Sequence, residues 1–225
     1  MNRDRTSAVA IILGAVAFVV TMALHPTGGD LDYILKIAPV VVGTHSLALA
    51  SLALVVLGFL GLTVRLSEDV LATAGMVTFA FGAVAAMCAA VLNGLALPSF
   101  VLQHAQSDAA TLEVIRLILG YNHALNAAFA RVFMAATAVA VVFWSIAIVR
   151  TRSLPSWTRV VGGVAGVGAL GTLLVGAIGV DVHDFGLFVF GYSAWAILIG
   201  LQLWRRASPP PAAQQADAAD PPSAG

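Results

Sequence analysis

Cysteine, charge and recognisable catalytic motifs are what this sequence has least of. A single cysteine, Cys88, occurs in 225 residues, which excludes an internal disulfide, a CxxC redox pair and any cysteine-rich metal cluster. Charged side chains make up 10% of the chain, against about 25% in an ordinary soluble domain. Eleven basic residues balance eleven acidic ones, so no bulk charge draws the protein to nucleic acid. There is no HxxH, HxxxH or HExxH, so no helix supplies two imidazoles on one face. A Gly-x-Ser-Gly nucleophile turn is missing too.

What is present is apolar. Hydrophobic residues account for 60% of the chain, and a soluble protein of 23.1 kDa lacks the interior volume to hide so much surface. The partner for most of this chain is therefore the lipid bilayer. Six apolar stretches, at 8–24, 39–64, 70–97, 124–149, 160–180 and 185–204, are set off by charges, prolines and glycines. Each is near or above the roughly 20 residues that a helix needs to cross the hydrocarbon core, and none alternates as a membrane strand does. The expected fold class is all-α: an integral membrane bundle of six transmembrane helices. The second, third and fourth stretches are longer than needed and should tilt or project beyond the bilayer. Arg3 and Arg5 before the first stretch outline a cleavable leader, but the apolar run is too long for one, and an ordinary first span is the reading.

An even number of spans puts both termini on one side. That side collects Arg3, Arg5, Arg65, Arg150, Arg152, Arg159, Arg205 and Arg206, whereas Lys36 and Arg116 fall on the other and Arg131 at or near the membrane. Positive charge marks the cytoplasmic face, so both termini are expected in the cytoplasm of a cell with the chain in its inner membrane, as in bacteria. Trp157 and Trp204 stand beside those arginines as interfacial anchors should. Residues 1–206 form the membrane domain; 207–225, with five prolines among alanine, glutamine and aspartate, read as a disordered cytoplasmic tail.

The fifth stretch holds Gly162, Gly163, Gly166, Gly168, Gly171, Gly176 and Gly179. Missing side chains let helix backbones approach within van der Waals range, so this helix is expected inside the bundle, closely packed on more than one side. Use of the same glycines in a homo-oligomer or with another membrane protein is the alternative.

Histidine carries the most chemical information. With that orientation His25, His45, His104, His123 and His183 all fall on the outer half, with Asn93, Asn126, Asp30, Asp32, Asp181 and Asp184. At 100° per residue, Arg116 lies about 20° from His123, Asn126 about 60° and Arg131 about 80°, so one face of the fourth helix is polar down to Arg131. An intramembrane ionisable group must face protein or trapped water, which suggests one outer pocket of His45, His123 and His183 with Arg131 at its floor and Asn93 and Asn126 nearby. Neutral imidazoles there, with His25, Asp181 or Asp184, are candidate ligands for a divalent metal, and His45 with His123 for haem iron. Plainer readings stand beside these. His25 before Pro-Thr-Gly-Gly is a helix stop, and Asp181-x-His183-Asp184 is a hydrated turn. Three function classes follow: a metal- or haem-binding membrane protein, a non-catalytic membrane subunit or assembly partner, and a small-solute or anion transporter using Arg131.

Overall fold

A computed structural model describes residues 3–26, 31–177 and 179–207. It is all-helical, with no strand among the described residues. Six helices are long and apolar enough to cross a membrane: α1 (Arg3–Ala23), α2 (Leu31–Arg65), α3 (Val70–Gln103), α4 (Ala109–Thr151), α5 (Ser156–Leu174) and α6 (Val182–Arg206). That is the architecture of a multi-pass membrane protein. The tail at 208–225 and Asp30 lie outside the described residues.

Because lipid is as apolar as leucine, these helices associate through close packing rather than through a hydrophobic drive. Small residues make the approach possible. On the α1–α2 seam, Gly14 abuts the Ser51 carbonyl and Val55, and Gly58 abuts Ile11. Gly200 of α6 lies against Ala8 and Ile12 of α1, and Gly82 of α3 against Ala136 and Phe133 of α4. Between these seams stands a column of rings. Phe59 stacks on Trp144 at 4.6 Å between centroids and on Trp195 at 5.7 Å. Phe79, Tyr192, Phe188 and Phe133 continue it. Trp144 Nε1 donates to Thr63 Oγ1 at 3.2 Å, which meets its need for a buried acceptor.

Polar pairs identify one end of the bundle. Arg65 at the close of α2 pairs with Asp4 at the start of α1, Arg150 near the end of α4 with Asp69 at 3.5 Å, and Arg5 stacks over Trp204 near the end of α6. Asp69 also caps α3, accepting from the Leu71 N–H. Most of the sequence's arginines thus gather at one end, and the histidines at the other.

Two expectations need correction. The stretch 98–122, expected as a connection because it lies between the third and fourth apolar runs, is helical except at 104–108. A proline lacks the N–H for the carbonyl four residues back and its ring crowds that carbonyl. Here α3 widens into a π-helical turn at Leu92–Ala96, where the Leu97 N–H reaches back to the Leu92 carbonyl, and the helix continues past Pro98. Beyond the turn at 104–108, α4 already starts at Ala109 and, at 43 residues, is about 65 Å long, far beyond the roughly 30 Å of hydrocarbon. The second correction concerns α5. Gly162 packs on Ser145 and Trp195, and Gly166 on Val142 and the Ala138 carbonyl, but Gly163, Gly168 and Gly171 face open space. Only 17% of the apolar stretch of α5 is buried, against 56% in α4 and in α6. It is a peripheral helix seated mainly on α4, because its glycines are spread around its circumference and only one line of them meets a neighbour.

Candidate functional site

The polar cluster at the histidine end is organised around the π-helical turn. Gly94 sits in that turn, and a Cβ added there would fall on the Cβ and Cγ of His45. The missing side chain is what lets the His45 ring root lie against the α3 backbone. A π-turn in a membrane helix is unusual and is frequently found at functional positions. Its cause here is legible: Gly94 and Pro98 stand four residues apart, the offset at which proline crowds a carbonyl.

His45 is 8% exposed, on the inner face of α2. Its Nδ1 lies 2.8 Å from the Val41 carbonyl one turn back. Against it, 5.1 Å between ring centroids and tilted by 57°, lies the ring of His25, which follows the end of α1. His25 Nδ1 lies 2.9 Å from the Pro26 carbonyl. A carbonyl oxygen can only accept, so each Nδ1 carries a proton, and in the neutral ring Nε2 keeps its lone pair. Neither Nε2 has a partner among the described residues. Burial lowers the His25 pKa from its ordinary value, the Pro26 bond opposing that shift, so this ring is held neutral at pH 7. Next to the pair, Asn93 in the same π-turn donates to the Ala89 carbonyl at 3.1 Å and accepts from Asn122 Nδ2 at 2.8 Å, tying α3 to α4.

The other expected members do not join this pair. His123 is exposed on α4, and Asn126 is half-buried there. His183 is exposed at the start of α6, where its backbone N–H, with that of Asp184, is held by Asp181 Oδ1 at 2.9 Å. Asp181 is therefore a helix cap, and Asp184 accepts from the Gly179 N–H at 2.7 Å: the hydrated-turn reading describes this link. Arg131 is exposed and lines a separate groove with Ala135, Leu173, Leu174, Gly176 and Gly179. His104 leans on Phe100 and its carbonyl. Among the described residues no three His, Cys, Asp or Glu side chains form a group able to hold a metal ion, so the ligand set of His45, His123, His183, His25, Asp181 and Asp184 is not assembled. The partner of His45 is His25, twenty residues away just past the end of α1, which no spacing on one helix could reveal.

What can a tilted pair of neutral imidazoles do? Two lone pairs can accept from a ligand bearing hydrogen-bond donors or coordinate a borderline metal ion. The pair as placed does not sandwich a haem: two opposed iron–nitrogen bonds plus the ring radii need about 6 Å between centroids, more than the 5.1 Å present. No family model, no curated protein and no solved structure matches the chain. A functional reading therefore rests on these residues themselves.

Proposed function

We propose that this multi-pass membrane protein binds a transition-metal ion, in exchange with solvent, through the Nε2 atoms of His25 and His45. The observation that supports this reading is the shared state of the two rings. Each donates its Nδ1 proton to a backbone carbonyl, which is how metal-ligating histidines are normally oriented and made more basic. Imidazole nitrogen suits zinc, copper and nickel. Two protein ligands leave open positions, unlike the four of a closed structural zinc site, so the ion would be held weakly and pass readily to another ligand. The arginine distribution supports an orientation with this end of the bundle on the extracytoplasmic side of an inner membrane, where such an ion would be captured from outside.

The test uses the full chain in detergent, stripped with a chelator and titrated calorimetrically with zinc and with copper. One equivalent should bind, and His25→Ala or His45→Ala should weaken binding by at least about tenfold. His123→Ala and His183→Ala should leave it unchanged. Absence of stoichiometric binding, or binding indifferent to both imidazoles, overturns the proposal.

A further inference from the structure

α1 and α6 run side by side along their length: Gly200 lies against the Ala8 carbonyl and Ile12 towards the arginine-rich end, and Gly186 against Met22 towards the other. Along their outer seam is a groove of about 280 Å³ lined by Val9, Ile12, Leu13, Leu201 and Trp204. Every lining residue is apolar. Residues 5, 9, 12 and 13 share one face of α1, being four, seven and eight positions apart, so Arg5 stands at the head of this groove. Its guanidinium carbon lies 5.4 Å from the centroid of the Trp204 ring, and its Nε is buried without a hydrogen-bond partner. The neighbouring carboxylate, Asp4, is taken by Arg65.

We infer that this groove holds an anionic glycerophospholipid, its phosphate on Arg5 and one acyl chain along Val9, Leu13 and Leu201. Three features converge on that occupant. A slot lined only by apolar side chains has nothing to offer a polar solute. A guanidinium at its head, ion-paired with no carboxylate among the described residues, complements a phosphate diester. The stacked tryptophan fixes the guanidinium at headgroup level, where indole rings settle. Arg205 and Arg206, exposed after Trp204 on α6, add positive charge to the same end, which favours an anionic over a zwitterionic lipid. This site is remote from the imidazole pair and independent of it.

Native mass spectrometry of the full chain, titrated with phosphatidylglycerol and in parallel with phosphatidylcholine, tests the inference. Phosphatidylglycerol should be retained preferentially, and Arg5→Gln should weaken its binding about fivefold. Arg5→Lys should restore part of it, and Arg159→Gln, on a different helix, should have no effect. Excess inorganic phosphate should not displace the lipid, because the apolar slot supplies part of the hold. Melting temperature measured on each variant separates lost binding from lost folding: Arg5→Gln protein that melts as the parent does yet retains less lipid supports the site. Equal retention of both lipids, undiminished binding in folded Arg5→Gln, or displacement by phosphate alone overturns it.

Discussion

Gly94→Ala is the most direct probe of how the imidazole pair is built. In an ordinary helix interior the change is favourable by about 1 kcal/mol, because alanine loses less backbone freedom than glycine. Here the new methyl would overlap the Cβ and Cγ of His45 and approach its Cδ2 to 3.0 Å. The first two atoms are the root of the side chain, and no rotation of the ring moves Cβ. Relief requires α2 and α3 to separate, and overpacking of this kind costs about 1–3 kcal/mol. Overlap with both of those root atoms puts the cost at the upper end of that range, leaving a net loss of about 2 kcal/mol, or a fall of about 4–8 °C in melting temperature for a chain of this size. Thermal unfolding in detergent measures it. Two controls give the reasoning its edge. His45→Ala should not rescue Gly94→Ala, since alanine keeps the offending Cβ, whereas His45→Gly should. Gly120→Ala, on α4 with nothing within 4 Å of the added methyl, should be neutral or slightly stabilising. A Gly94→Ala protein as stable as its parent would show that the contact between π-turn and imidazole does not exist as described.

The remaining predictions concern packing, pH and topology. Gly166→Leu should lower thermal stability, because even a Cβ there meets Val142 at 2.8 Å and the Ala138 carbonyl at 2.9 Å, while Gly163→Leu, facing open space, should not. Asp108 caps α4 through the Thr111 N–H, which lowers its pKa from the ordinary 3.8. Its support for the first turn of α4 is thus complete above that value and is lost as pH falls through the lowered one. The protection of the Thr111 amide, corrected for the intrinsic exchange rate, should fall on acidification, and Asp108→Asn should remove that pH dependence while keeping a cap. Reporter fusions after Arg65 and after Arg206 should both read cytoplasmic, and an external reading at either would reverse the assignment of the imidazole end.

The number and type of the spans were legible because lipid imposes a length and a polarity that show in the chain itself. Their ends were not. Beyond the hydrocarbon nothing requires a helix to stop, and Pro98 stops one only if the backbone cannot widen to accept it. The polar face of α4 was legible in the same limited way. Helical geometry groups Arg116, Asn126 and His123, but not which of them a neighbouring helix will cover, and none of α1, α2 or α3 covers His123. His45 stood out as an imidazole in an apolar helix needing a partner. That the partner would be His25 depends on the α1–α2 seam, whose register is set by Gly14 and Gly58 rather than by any residue near either histidine.

The seating of α5 has a consequence for order of unfolding. Five helices hold one another through shared seams and the aromatic column, while α5 rests mainly on one face of α4. Local opening free energies within one protein range from almost nothing to the global value, and α5 belongs at the lower end. When it detaches, the bundle loses neither the stack of Phe59, Trp144 and Trp195 nor the pair of His25 and His45. It loses Leu173, Leu174 and Gly176, which form one wall of the groove at Arg131. That groove is thus a property of the fully assembled molecule alone, and its lifetime is set by the docking of one helix rather than by the stability of the whole.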